Sequence, residues 1–247
     1  MKKITGLLAL GAVIAAPSMA LAGQSGLYVA PKLGMGGLMG FESSNTFSEY
    51  TGGALTDWET GKQTFGGSHG FGAALAVGYD FHKTHGTPAR VELEYAMFKS
   101  KSERIDNWHG DGWSDYHSRK TDLDIHTLFV NAYRDFRSDS ALTPYVGMGL
   151  GLAFVGAKGS QSSDWTSNFS LGKDTKTNFA WNIGGGVAYA FSDKLSLDVG
   201  YRFASLGKGQ TKESVIDDLG GGDFYTAQFK TGRLYTHQLM VGARFAF

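Results

Sequence analysis

The stretch 195–204 reads LSLDVGYRFA, and its rhythm decides the fold. Leu195, Leu197, Val199, Tyr201 and Phe203 share one parity, while Ser196, Asp198, Gly200, Arg202 and Ala204 share the other. A strand sends successive side chains to opposite faces, so this segment is a ribbon with one greasy and one ionic face. Wound as a helix, the same residues would scatter Asp198 and Arg202 around the whole circumference. A strand that alternates in this way suits a membrane barrel, with lipid on one side and a polar lumen on the other.

Working outward, the same period recurs. The end of the chain places Leu239, Val241, Ala243, Phe245 and Phe247 opposite Gln238, Met240, Gly242, Arg244 and Ala246. Phe179, Trp181, Ile183, Val187, Tyr189 and Phe191 alternate with Asn178, Ala180, Asn182, Gly184, Gly186 and Ala188. Val146, Met148, Leu150, Leu152 and Phe154 alternate with Tyr145, Gly147, Gly149, Gly151 and Ala153. Nearer the start, Val91, Leu93, Tyr95 and Met97 lie opposite Arg90, Glu92, Glu94 and Ala96, and Phe71, Leu75, Val77, Tyr79 and Phe81 lie opposite Gly70, Gly72, Ala74, Gly78 and Asp80. Leu27, Val29, Pro31, Leu33 and Met35 face away from Tyr28, Ala30, Lys32, Gly34 and Gly36. The segment 119–136 is irregular: Leu123 and Ile125 set one parity and Leu128, Val130 and Ala132 the other. A β-bulge near His126 is the simplest reconciliation, although Phe129 and Tyr133 argue against it.

The connections alternate in length. His82–Pro88, Arg137–Leu142 and Ser192–Lys194 are short, whereas Met39–Ser68, Glu103–Ser118, Ala157–Thr175 and Gly207–Lys230 are long. Short periplasmic turns and long extracellular loops are the rule for such barrels, and an even strand count puts both termini in the periplasm. The expected fold is therefore an all-β, eight-stranded antiparallel transmembrane β-barrel with four long extracellular loops and three short periplasmic turns. With the chain stopping at Phe247, no separate periplasmic module is expected after the barrel.

The first residues read as an address. Lys2 and Lys3 precede an apolar run, Leu7–Ala16, and Ala20-Leu21-Ala22 gives a small-x-small cleavage pattern. The expected domains are a cleaved signal peptide, 1–22, and a barrel, 23–247. The run is too short for a transmembrane helix. Mean hydropathy is −0.19, near-neutral as alternating barrel strands require. Cysteine is absent, which excludes disulfides and thiolate metal sites. A balanced charge gives no reason to expect nucleic acid as a partner.

An eight-stranded barrel is just wide enough for side chains to fill it. The inward parity contains Lys32, Arg90, Arg202 and Arg244 alongside Asp80, Glu92, Glu94 and Asp198, amid glycine and alanine. Charges in such a space are costly unless paired, so a plug-like network is expected, with Arg202 and Arg244 reaching Asp198, Glu92 or Glu94. The rival reading is a small porin-like channel for ions or small solutes, lined by the same groups.

Loops on a rigid scaffold usually carry recognition. The second loop is densest, with Trp108, His109, Asp111, Trp113, Asp115, Tyr116 and His117. Trp108, Trp113 and Tyr116 can stack on sugars, and His109 with its acidic neighbours can hold a metal, but the spacing matches no strong metal motif. A solvated, self-packed loop is the bland alternative. The first loop carries Glu42, Glu49, Asp57, Trp58 and Glu59, and the fourth carries Gly220–Gly222 before Asp223, Phe224 and Tyr225. His69, His126 and His237, with Ser68 or Ser205, lack the spacing of a hydrolytic constellation, so neither an enzyme nor a cofactor is expected.

The run Leu128–Phe136, then Pro144-Tyr145-Val146-Gly147, resembles the opacity (Opa) family and the related OmpA-like small outer-membrane β-barrel proteins. Phe179–Phe203 resembles their penultimate hairpin and His237–Phe247 their closing strand. Gly242, Phe245 and Phe247 resemble the C-terminal signal read by the barrel-assembly machinery, with Met240 where a polar residue is usual. The resemblance implies the Gram-negative outer membrane, contact with its lipid and lipopolysaccharide, and, in the opacity branch, adhesion to host receptors through loop tips. The long loops themselves do not match. The reading is a non-enzymatic surface barrel whose loops serve adhesion or recognition and whose charge-plugged lumen contributes to envelope integrity.

Overall fold

The structure, a computed structural model, describes the backbone of residues 26–110, 113–163 and 169–247, with the side chains of these except 63, 102–119, 161–163 and 216–220. The leader 1–22 lies outside the described residues.

In chain order the elements are β1 (Leu27–Leu38), β2 (Phe41–Thr51), β3 (Ala54–Phe65), β4 (Ser68–Asp80), α1 (Phe81–His85), β5 (Ala89–Gly110), β6 (Trp113–Asp135), β7 (Leu142–Ser163), β8 (Phe169–Ala190), β9 (Leu195–Gln210), β10 (Ser214–Gly220) and β11 (Asp223–Ala246). Strands β1, β4, β5, β6, β7, β8, β9 and β11 pair in that order, and β11 pairs back onto β1, closing an antiparallel ring of eight. Closure leaves no open edge, as a sheet in hydrocarbon requires. The short turns gather at one end. One of them holds α1, whose start is capped by the Asp80 carboxylate accepting from the His82 N–H and whose end is released by Gly86 at φ 67°.

The ring strands are longer than a bilayer needs. A tilted strand crosses in about 9–11 residues, yet β5, β7 and β8 have 22, β6 has 23 and β11 has 24. The excess projects at the end opposite the short turns. There the long connections are themselves sheet: β2 and β3 form a hairpin whose β2 edge continues along β11, and β10 folds onto the other edge of β11.

Strand β6 corrects the expectation of a bulge near His126. Its pairing with β5 and with β7 runs without a register shift from one end to the other. One parity, Leu123, Ile125, Phe129 and Asn131, is buried throughout, and the other, Leu128 and Val130, is exposed. What changes is the surroundings. Outward, Lys120, Asp122 and Asp124 give way to Leu128, Val130 and Ala132; inward, Leu123 and Ile125 give way to Asn131 and Asp135. Water beside the strand becomes lipid, and an apolar interior becomes an ionic one. The hydrophobic pattern therefore inverts while the backbone does not.

That inversion carries a testable consequence. Arginine at Val130, which is 56% exposed on the lipid face, is expected to cost about 2–4 kcal/mol of folding stability. Arginine at Asp122, on the same face beyond the lipid band, is expected to stay within about 0.5 kcal/mol of wild type. Urea titration of both variants in lipid vesicles reads the difference; equal costs would contradict the inversion.

Candidate functional site: the lumen and the long-hairpin end

From the short-turn end the interior opens as a cavity of about 750 Å³ bordered by Tyr28, Asp80, Asp135, Arg137 and Arg244. At its mouth Arg137 bridges Asp80 at 2.7 Å and Asp135 at 3.2 Å, and Arg244 meets Asp198 at 3.1 Å. One layer further in, Arg90 donates through Nε to Asp135 at 3.0 Å, with its guanidinium 4.8 and 5.0 Å from the ring centres of Tyr133 and Tyr145. Tyr28 donates to Glu92 at 2.8 Å. At the next level Lys32 joins Glu92 at 2.6 Å and Glu94 at 2.7 Å, Glu94 also meets Arg202, and Arg202 is held by Gln238 at 2.7 Å. All eight charged residues singled out from the inward parity thus sit in ion pairs. Asp135, Arg137, Tyr28, Tyr133 and Gln238 complete the set and were missed, because they sit at strand ends or carry no charge.

The aromatic members fit because glycine faces them. A Cβ on Gly78 would lie 2.3 Å from the Tyr28 ring, and one on Gly147 would lie 2.3 Å from the Tyr133 ring. Beyond Arg202, whose guanidinium lies 5.6 Å from the Phe129 ring centre, the filling turns apolar, with Phe98, Ile125, Leu206, Leu234, Phe41, Phe65 and Phe229 in one cluster. The voids left along this path are about 50, 20 and 30 Å³, space for at most a few waters each.

At the long-hairpin end, β2–β3 and β10–β11 are fastened together. Tyr50 stacks on Phe224 at 4.6 Å, the Gly53 N–H donates to the Gly222 carbonyl at 2.8 Å, and the Gly52 N–H donates to the Asp223 carboxylate at 2.8 Å. The glycine run at 220–222 thus makes a turn, with Gly221 and Gly222 at positive φ. Leu55, Trp58 and Val215 are exposed on this arm. On either side of residues 111–112 the backbone of the second loop stays paired, with Trp108 opposite Asp115 and Asn107 opposite Tyr116. The side chains of Trp108, His109, Trp113 and Tyr116 lie outside the described residues.

Among the described residues, Ser68 bonds Ser100 at 2.6 Å, His126 meets Tyr95 at 2.6 Å, and His237 meets Tyr201. No group of three His, Asp or Glu side chains among the described residues is placed to hold a metal. In the closing strand, Gly242 faces Lys32, Phe245 is exposed to the outside and the Phe247 N–H donates to the Leu27 carbonyl at 3.1 Å.

A closed antiparallel ring with an apolar outer band and an ion-paired interior defines a small outer-membrane β-barrel. The chain belongs to the family described as outer membrane protein beta-barrel domain, which matches residues 5–245. It is 28% identical over 244 residues to the outer membrane protein PagN of Salmonella typhimurium, covering 95% of each chain. A candidate adhesin of Rickettsia conorii is 27% identical over 180 residues, covering 71% of this chain and 67% of that one. Among solved structures, Neisserial surface protein A aligns with a TM-score of 0.49 and 18% identity over 90% of this chain and 98% of its own. The resemblance to opacity-type barrels read from the sequence fits this family, and the protein is one of the outer membrane.

Proposed function

We propose that the protein is a surface-recognition barrel: a closed, non-conducting cylinder that holds a rigid β-arm outside the cell for attachment to a host or surface ligand. The leader 1–22 is removed on export, both termini face the periplasm, and the long-hairpin end faces outward. Gly242, Phe245 and Phe247 serve recognition by the barrel-assembly machinery. The observation that carries the reading is the arm itself. Long polar connections would normally be mobile, yet here β2–β3 is pinned to β10–β11, and Leu55, Trp58 and Val215 are left in solvent. Ordering before binding lowers the entropy cost of association, and exposed Trp beside aliphatic groups is the composition of binding hot spots. Candidate adhesins among the relatives point the same way. Trp108, His109, Trp113 and Tyr116 extend the surface from the neighbouring hairpin. No catalytic step is assigned.

Bacteria displaying the triple variant Leu55→Ser, Trp58→Ser, Val215→Ser are expected to attach to host cells about tenfold less well, as loss of a hot-spot residue implies. Heat-modifiable gel mobility should be retained, showing that the barrel still folds. Unchanged attachment would sink the arm as the binding surface. The lumen part is tested by planar-bilayer recordings, which should show no stable open current. A large steady conductance would establish the channel reading instead.

A further inference from the structure

The β8–β9 ladder stops at Trp181 opposite Ser205 and resumes only at the isolated bridge of Lys173 with Thr211. Between them the Asn178 amide spans the seam, donating to the Lys208 carbonyl at 2.9 Å and accepting from the Lys208 N–H at 3.2 Å. Gly207, at φ 79°, lets β9 turn at this point. On the other side of β9, the pairing with β11 shifts between Lys230 and Arg233. These two irregularities open a concavity of about 310 Å³ in the outer wall, whose lining includes Lys62, Lys176, Lys208 and Lys230. Register explains part of the convergence. Lys62 lies opposite Ser44, Ser44 opposite Lys230, and Lys230 opposite Gln210, so Lys62 and Lys230 stand level with each other two strands, about 10 Å, apart, while Lys176 and Lys208 border the same hollow from β8 and β9.

Three observations point to a ligand. None of these four ammonium groups is ion-paired among the described residues, and Glu42 is the single acid among the lining residues. Lys173, on the same strand as Lys176, is by contrast neutralised: it binds Asp124 at 2.7 Å, and although burial pushes the Asp124 carboxyl up, the hydrogen bond and charge of Lys173 hold it below the ordinary range. Lastly, on the same strands just toward the short-turn end, Trp181, Phe203 and Tyr235 form a continuous aromatic patch, with ring centres 5.8 and 5.7 Å apart. Aromatic girdles mark the edge of the hydrocarbon, so cations directly beyond them lie at headgroup depth and face sideways. Unpaired like charges held together repel unless an anion joins them, and lysine is an effective point-charge partner for phosphate.

We propose that this lysine cluster binds the phosphate groups of a phosphorylated glycolipid of the outer leaflet, fastening the headgroup to the barrel wall. The proposal rests on the long-hairpin end facing outward, while its test in vitro is independent of attachment. The folded full-length protein in neutral detergent is titrated with diphosphoryl lipid A and with the dephosphorylated glycolipid, and the bound fraction is read by native mass spectrometry. Wild type is expected to hold the diphosphoryl form at least about tenfold more tightly, with no displacement by equimolar inorganic phosphate. The variant Lys62→Gln, Lys176→Gln, Lys208→Gln, Lys230→Gln should lose that preference. Lys99→Gln with Lys101→Gln, changed on β5, should stay within about twofold of wild type. Heat-modifiable mobility reports folding, and Lys230→Gln alone, expected to lose about threefold or more, carries the test should the quadruple variant misfold. Equal binding of both glycolipids, or a quadruple variant that binds as wild type does, would overturn the proposal. So would a cluster that captures sulfated polysaccharide while ignoring lipid A.

Discussion

Replacing Glu94 with alanine is expected to destabilise the barrel by about 3–5 kcal/mol, the cost of breaking a buried ion pair from one side. Glu94 is fully buried and is shared by Lys32 and Arg202, which come from strands on opposite sides of β5 in chain order. Its loss leaves Arg202 without a carboxylate and Lys32 with Glu92 alone. Uncompensated charges in a closed lumen cannot rehydrate without opening the wall. The companion variant Lys32→Met, Glu94→Met, Arg202→Met is expected to regain most of the loss, since apolar groups of similar size fill the space without leaving a charge behind. Urea titration in lipid vesicles measures both. A loss below about 1 kcal/mol for Glu94→Ala would mean that water already reaches the pair, as in a conducting pore.

The second large effect is steric. Valine at Gly147 is expected to cost at least about 3 kcal/mol, the top of the range for overpacking, because its Cβ would sit 2.3 Å from the Tyr133 ring and 2.9 Å from the Ala132 carbonyl oxygen. The ring cannot move aside easily, as Arg90 lies over its face. Adding Tyr133→Ala should recover part of the loss, a non-additive pairing that a mutant cycle detects. Additive penalties would show that the two positions do not meet across β6 and β7.

The two cases also show what a single chain's pattern can reveal. In β9 the alternation is plain because Leu195–Phe203 meets one solvent, lipid, on its outer face. In β6 the period alone suggests a bulge, since Leu123 and Leu128 fall on opposite parities, yet no bulge is needed because Leu123 faces the apolar part of the interior and Leu128 the outside. The corrective signal was present: Lys120, Asp122 and Asp124 share the parity of Leu128, Val130 and Ala132, so one unbroken register with charges outward at one end suffices. The β2–β3 hairpin reads as loop from sequence because Glu42 to Thr51 is largely polar on both faces, leaving no greasy stripe to mark a strand. Lumen charges could be read one strand at a time. The seating of Tyr28 over Gly78 and of Tyr133 over Gly147 could not, because it depends on how neighbouring strands align. The lysine cluster is hidden for the same reason, its four members being spread over β3, β8, β9 and β11.

Single-cysteine scanning of β6 from 120 to 132 tests the account most directly, and the native chain offers no cysteine to interfere. Cysteines at Leu128, Val130 and Ala132 should be reached by a lipid-soluble probe only, and those at Lys120, Asp122 and Asp124 by a water-soluble probe only. Cysteines at Leu123, Ile125, Phe129 and Asn131 should resist both. If Leu123 and Ile125 instead join Leu128 in reaching lipid, the strand is bulged, the interior beyond Arg202 is not apolar, and the closed two-layer cylinder described above is wrong.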